Sequence, residues 1–550
     1  MFTIISKKFP FIYKKNLLLL FFLFVSLKAE NTVPKLEDLT LEEKIGQLLI
    51  VHFRGEDCNK EALQMIYEAH VGGVIYYPWS NGLNSPLQIQ HLSAHLQAAA
   101  FQKKNKIPLL ISVDQEGGVV NRLTKGMTLF PGNYALGQTK DPQLAFEYAS
   151  ASANELLAMG INMNLAPVID VNTQPCNPVI GIRSFSTCPD EIVRFGSKVV
   201  EGFNKAGLIA TLKHFPGHGD TNSDSHHTLP IVNKTLVELE KVELVPFKAL
   251  ASQTPVVMTA HLLVPALDAL NCVTFSKSAI DVLRKEIGEK GIILTDSLVM
   301  QGVLQDGKTV EQAALKSLQA GHDLLLLGGK RLLNESSEFE LEAKDVLKIH
   351  QFLVNAVRQN LISEARIDIS VKRILALKES YHLFQSEEDD LQLRRRELSL
   401  QKNQALAKNI AEKALHNLNE DLKISFQNPR VTLIAPDILK EELEKTDWLT
   451  PNQNVQVILF DANLKEFQTV LEKCQEINVC VFFFYNHKKY PNHLDFFNFI
   501  KAHKNSEMIA VVVADSNIQH DLADVTLYTY SPCAVSLQCA KEYLMTIFEE

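Results

Sequence analysis

Ile209-Ala-Thr-Leu-Lys-His214 is a short apolar run ending in a lysine and an imidazole. Phe215-Pro-Gly-His-Gly-Asp-Thr-Asn-Ser-Asp-Ser-His-His-Thr-Leu-Pro230 follows it as a long polar loop. An apolar strand whose carboxyl end carries reactive groups is the repeating unit of a (β/α)8 barrel. Four similar runs precede it: Leu48–Phe53, Gly73–Tyr77, Leu109–Val113 and Met163–Val168. Three follow it: Val256–His261, Ile292–Thr295 and Asp323–Leu327. Helix-like stretches alternate with them, among them Asp141–Met159, Asp190–Ala206 and Thr309–Ala320. Asp141 and Pro142 give the first of these a cap and a residue suited to the first helical turn. Such alternation predicts a parallel sheet covered on both faces. Eight units between residues 36 and 382 predict an α/β fold with an N-terminal (β/α)8 TIM-like barrel. The alternative is a large open doubly wound sheet, but no Gly-rich dinucleotide fingerprint or P-loop follows an early strand. Asp114, Asp170, Arg183, Lys213, His214, His261 and Asp296 all fall at or just after strand ends, on one side. Barrel loops place reactive groups there, whereas an open sheet would need them at a single crevice.

The flanking regions differ in character. Residues 1–29 place Lys7, Lys8, Lys14 and Lys15 before the apolar run Leu17–Leu27, with the small Ala29 after it. That order predicts a signal peptide, and an 11-residue run is short of the roughly 20 needed to span a bilayer. An uncleaved anchor is the alternative. The expectation is an exported protein, periplasmic or extracellular, with no stable membrane span after cleavage. Residues 383–402 hold an acidic run, Glu387–Asp390, and a basic one, Arg394–Arg396, which read as a linker or an exposed helix. Residues 403–550 carry apolar strands at Val431–Ala435, Val455–Phe460, Val479–Tyr485 and Ile509–Ala514. They predict a smaller C-terminal α/β sandwich domain. It shows no reactive cluster and reads as a docked or packing domain.

Composition excludes other classes. The 550 residues are 46% apolar and 22% charged, which describes a folded globular chain rather than a disordered, collagenous or coiled-coil one. A net charge of −9 supplies no broad cationic field, so no nucleic-acid partner is expected. The eight cysteines form no Cys-x-x-Cys pair, so neither a zinc ribbon nor a thioredoxin-like site is indicated. Cys176 and Cys188 flank the Arg183 loop; free, buried thiols are expected, with a bridge as the alternative.

The His214–His227 segment holds four histidines and two aspartates in 14 positions. It reads as a metal site, as a merely solvated loop, or as an acid/base dyad. A metal cage wants fixed ligands, which Gly-Pro content does not favour. In the dyad, Asp224 and His226 share a face of an extended stretch and the carboxylate fixes the imidazole tautomer. His227 then points away. Asp296 closes the seventh strand and reads as a nucleophile toward an anomeric carbon, or as a helix N-cap. Asp114, Arg122, Arg183, Lys213 and His214 make a donor and acceptor set suited to sugar hydroxyls, or else buried structural ion pairs.

Asp114-Gln-Glu-Gly-Gly118, Asn177-Pro-Val-Ile-Gly-Ile-Arg-Ser-Phe185, the Lys213–Pro230 loop and Thr295-Asp-Ser297 together resemble glycoside hydrolase family 3. The loop resembles its β-N-acetylglucosaminidase branch, in the two-domain exported form. That resemblance implies a retaining hydrolase (a β-N-acetylhexosaminidase) without cofactor or metal. Asp296 aligns with the nucleophile, and His226, oriented by Asp224, with the acid/base. Asp114, Arg122, Arg183, Lys213 and His214 align with residues that hold the N-acetylglucosamine ring. The 2-acetamido group is recognised and not used as an internal nucleophile. The implied substrates are N-acetylglucosamine-containing glycans or muropeptides, in peptidoglycan turnover. His227 and Tyr77-Pro-Trp79 depart from the pattern on the leaving-group side. The competing expectations are a family 3 β-glucosidase, an N-acetylglucosaminide phosphorylase, to which a neutral imidazole would admit phosphate, and a non-catalytic sugar-binding protein.

Overall fold

The computed structural model describes residues 33–225, 227–304, 308–334, 337–385, 389–418, 430–449, 454–473, 478–504, 506–515 and 522–548. The signal-like segment and His226 lie outside them.

Eight parallel strands form the first domain: β1 Leu49–Val51, β2 Gly73–Ile75, β3 Leu110–Val113, β4 Met163–Asn164, β5 Ile209–Phe215, β6 Val256–Thr259, β7 Ile292–Thr295 and β8 Leu325–Leu327. Their spatial order is β8-β1-β2-β3-β4-β5-β6-β7. A parallel bridge between Leu294 and Leu324 brings β7 to the start of β8, so the barrel is nearly closed. Every residue of these strands is buried. Burial on both faces explains why they read as continuous apolar runs rather than as alternating ones. β4 is shorter than its apolar run suggests. Pro167 interrupts the ladder because it has no N–H to donate, and only Val168 bridges to Lys213 beyond it.

The helices begin where the sequence signals them. Pro142–Ala158 starts after Asp141, whose carboxylate accepts the Gln143 N–H. Val310–Ala320 starts with a Thr309–Gln312 capping box. Pro189–Ala206 ends at Gly207, whose φ of +86° suits the left-handed cap. Among the described residues, no helix is long and apolar enough to cross a membrane.

The charged stretch after residue 385 becomes the helix Asp389–Ala414. Ala407 and Ile410 join the barrel core, and Ala414 joins a core of the second domain. That domain contains β9 His416–Asn417, β10 Val431–Pro436, β11 Val455–Phe460, β12 Val479–Phe484, β13 Glu507–Val512 and β14 Val525–Tyr528. Their order is β9-β14-β13-β12-β10-β11, parallel except for the antiparallel β9–β14 pair. The short β9 and β14 escaped the sequence reading. β12 shows how the sandwich is layered: Cys480, Phe482 and Phe484 enter one core, while Val479, Val481 and Phe483 enter the other.

The two domains are docked. The buried Cys533 Sγ lies 3.4 Å from the Phe130 carbonyl and 3.7 Å from that of Gly118. Burial pushes its pKa up to about 12, so it remains a thiol donor. Tyr134 of the barrel meets Tyr530, with ring centroids 5.3 Å apart. The contact bears on the hairpin of Gln115–Gly117 and Val120–Asn121, where Gly118 has a φ of +60°. A Cβ there would sit 2.8 Å from the Pro131 carbonyl, so only glycine lets the chain pass. Cys176 and Cys188 are unbridged, as expected, but exposed rather than buried. Both sit on surface loops beside the Arg183 turn, with no core behind them to cover them.

Candidate active site

One cavity of about 480 Å³ opens at the carboxyl ends of the barrel strands, within the usual range of about 300–1,000 Å³ for small-molecule sites. Asp114 follows β3, Lys213 and His214 lie in the last residues of β5, and Asp296 follows β7. These four, with Arg122, Arg183 and Asp224, all line the cavity. The barrel brings them together from more than 180 positions of sequence, as strand ends converge on one rim.

Glu116 is the hub that the sequence reading passed over. It is 2% exposed, and its two oxygens accept Arg183 Nη2 at 2.8 Å and Nε at 2.9 Å. Lys213 Nζ lies 2.6 Å from Glu116 and 2.8 Å from Asp114. Burial by itself would raise the Glu116 pKa, but Arg183 and Lys213 hold it well below the usual carboxylate range. Burial would likewise discharge Lys213, but Asp114 and Glu116 hold its pKa above the ordinary value. Both cations therefore stay charged while buried, with directions fixed by bidentate and paired contacts. The signal was present: Glu116 sits two residues after Asp114 on an extended stretch, and such residues share a face.

Asp170 organises the second half. It is fully buried, and its carboxylate accepts His214 Nδ1–H at 2.6 Å, His218 N–H at 2.7 Å and His214 N–H at 3.2 Å. His214 is thereby fixed with Nδ1 as donor, and Nε2 is the ring nitrogen left for a ligand. His218 continues the network. Thr221 Oγ1 donates to the His218 carbonyl at 3.1 Å and so accepts from Nδ1 at 2.9 Å, which leaves Nε2 to accept from Ser225 Oγ at 3.1 Å. Asn177 ties this segment to the Arg183 turn: its Nδ2 donates to the His218 carbonyl at 2.8 Å, and its Oδ1 accepts from Val179 and Ile180.

The His loop is held more tightly than its Gly-Pro content suggests. The His227 and Thr228 N–H groups donate to the Asp224 carbonyl at 3.1 and 3.0 Å. Ser225 Oγ is held by His218 Nε2 at 3.1 Å, and the expected Asp224–His226 pairing falls outside the described residues. Gly219 is also no sign of looseness. A Cβ there would lie 1.8 Å from the Val171 carbonyl, so the glycine allows tight packing. His227 is exposed.

Among the described residues Asp296 caps no helix, because residues 298–304 are turns and bends. Its Oδ1 accepts Ser297 N–H at 2.7 Å. Behind it, His261 Nε2 donates to the Ser297 carbonyl at 2.8 Å, and the Ser297 hydroxyl bonds the Gly328 carbonyl. His261 supports this turn from within the core and does not line the cavity.

Burial, with His214 and Arg183 nearby, lowers the His218 pKa to about 4; burial lowers that of His70 to about 4 and that of His322 to about 3. These imidazoles are neutral when folded and gain protons on unfolding below about pH 6.5. Their stabilisation is complete above that pH and declines as pH falls from about 6.5 toward 4. The melting temperature should fall steadily across that window. A flat profile would show that these imidazoles are not buried neutral.

Four likenesses to known proteins bear on this site. The sequence profile described as "Glycosyl hydrolase family 3 N terminal domain" matches residues 40–377. Beta-hexosaminidase A of Pseudoalteromonas piscicida is 34% identical over 377 residues, which span 62% of this chain and 61% of that protein. A beta-hexosaminidase of Idiomarina loihiensis is 34% identical over 288 residues, 52% of this chain and 84% of its own length. A solved family 3 β-N-acetylglucosaminidase from Paenibacillus sp. str. FPU-7 superposes with a TM-score of 0.82 at 32% identity, covering 93% of this chain and 97% of that one.

Proposed function

The chain belongs to glycosyl hydrolase family 3, and we propose that it is a retaining β-N-acetylglucosaminidase of the beta-hexosaminidase type. It releases terminal, non-reducing β-linked N-acetylglucosamine from peptidoglycan fragments. The observation that carries this reading is the shared cavity. Asp296 and Asp224 line it together with the paired donors Asp114, Arg183, Lys213 and His214. The hydrolases of Pseudoalteromonas and Idiomarina and the Paenibacillus β-N-acetylglucosaminidase support it by likeness.

In this mechanism Arg183, Lys213, His214 and Asp114 hold the hydroxyls of the terminal sugar. The Asp296 carboxylate attacks the anomeric carbon as the bond to the leaving oxygen breaks, which gives a covalent glycosyl-aspartate. His226, oriented by Asp224, protonates the departing oxygen. It then takes a proton from the water that attacks the intermediate and releases the sugar with retained configuration. The signal-like order of residues 1–29 supports a site of action outside the cytoplasm, in the periplasm or beyond.

An aryl β-N-acetylglucosaminide and the matching aryl β-glucoside test the donor specificity. The first should be turned over with a kcat/KM at least about 100-fold higher, because a site built around a polar substituent rejects analogues lacking it. Equal turnover would overturn the reading.

A further inference from the structure

The outer surface of the barrel carries a histidine pair that the sugar cavity does not use. Helix Pro86–Phe101 follows β2 and begins after Ser85, whose side chain accepts the Gln88 N–H. Its inner face packs on the core through Ile89, Leu92 and Leu96. His91 and His95 lie four residues apart on this helix, so they stand one turn apart on one face. Both are exposed. Their rings are nearly parallel, with centroids 6.3 Å apart and planes inclined by 22°. Neither lines the sugar cavity.

A third group arrives from another part of the chain. Asp57, in the loop after β1, brings Oδ1 to 2.7 Å from His95 Nδ1. A carboxylate has no proton to give, so Nδ1–H donates, and Nε2 is left as the unprotonated nitrogen. Asp57 Oδ1 also accepts the Cys58 N–H at 2.7 Å, which fixes the carboxylate from its own backbone. The loop is tied to the start of the same helix: Gln88 Nε2 donates to the Glu56 carbonyl at 2.7 Å, and Asn84 Nδ2 to the Glu56 carboxylate at 3.2 Å. A carboxylate that holds Nδ1–H while Nε2 stays open is the arrangement in which a histidine meets a metal ion, because it fixes the ring and raises the basicity of the far nitrogen. Two imidazoles one helical turn apart are spaced for one cation to reach both. The cluster of Glu412, Cys539 and Glu542 differs: Lys408 Nζ, 2.9 Å from Glu542 and 3.7 Å from Glu412, already supplies its positive charge.

We propose that His91 and His95, the latter oriented by Asp57, form a binding site for a divalent cation of the zinc class. Each histidine supplies one ring nitrogen, and water completes the shell. Imidazole nitrogen selects first-row cations such as zinc or nickel over magnesium and calcium, which take oxygen ligands. His95 and Asp57 are 57% and 66% exposed, so the side chains can turn onto the ion without moving the backbone. The bound cation joins the helix after β2 to the loop after β1 by way of the His95–Asp57 bond, and so favours the folded chain. The site is independent of the reading of the sugar cavity.

The test is a calorimetric titration of the whole protein with zinc chloride in a buffer that does not chelate metal. One ion per chain should bind with a Kd below about 10⁻⁴ M. Nickel should compete for the site, and magnesium or calcium at about 10 mM should not. His91→Gln/His95→Gln should weaken zinc binding by at least about 100-fold. Asp57→Asn, which keeps the size of the side chain but holds the imidazole less firmly, should weaken it by about tenfold. All three positions are exposed, so without zinc the variants should melt within about 2 °C of the unaltered protein. Saturating zinc should raise the melting temperature of the unaltered protein and leave that of the double variant where it was. Absence of zinc binding, displacement of zinc by magnesium, or binding of equal strength in the double variant would overturn the site.

Discussion

Asp296→Asn should lower kcat on an aryl β-N-acetylglucosaminide by at least about 10³-fold, with the melting temperature unchanged within about 2 °C. The amide matches the carboxylate in size and still accepts the Ser297 N–H through its oxygen, so the turn between β7 and β8 keeps its contacts. What is lost is the negative oxygen that would bond the anomeric carbon. Stability should hold because the support comes from behind, through His261 and the Gly328 carbonyl. His226→Ala gives the complementary pattern. Its penalty should grow as the leaving group becomes more basic, since good leaving groups need no proton. Retained turnover in the Asn variant would remove Asp296 from the chemistry, and a uniform His226 effect across leaving groups would remove His226 from the acid role.

Glu116→Gln should cost about 3–5 kcal/mol of unfolding free energy and raise KM sharply. The substitution is nearly isosteric, but it strips the shared counter-charge from two buried cations. Arg183 would lose its bidentate partner, and Lys213 would keep only Asp114. Urea unfolding gives the first effect and steady-state kinetics the second. In the unaltered protein the Glu116 contribution is present at and above the ordinary carboxylate pKa and is lost only in strong acid, because its folded pKa is depressed. A stability change under about 1 kcal/mol would mean that the two cations are compensated by other groups.

Glu116 also marks where sequence reading reached its limit. The motif Asp114-Gln-Glu-Gly-Gly118 drew attention to its first residue, as a strand-end carboxylate is an obvious ligand for a sugar. The third residue acts through cations that arrive from residues 183 and 213, and no local pattern announces such a pairing. Asp170 is similar: its place at a strand end was visible, but its hold on both His214 and His218 was not. The His loop was identified by its unusual composition, but the hold of His218 on Ser225 was not legible along the chain. The second domain was read as docked, and its contacts with the barrel agree. Its strands were readable, but Lys488, Lys489 and Asp515 lie on separate loops and became part of the cavity wall only by docking.

The sequence by itself determined the barrel, the helix starts and the identity of the polar residues at its rim. Those features depend on local periodicity, capping and the rule that strand ends bear the loops, all of which act within a few residues. The tertiary structure alone decided which charges compensate each other, which imidazoles are buried neutral, and that the second domain closes the cavity. Those outcomes depend on distances between groups far apart in the chain, and electrostatic energy follows distance and burial, not sequence order.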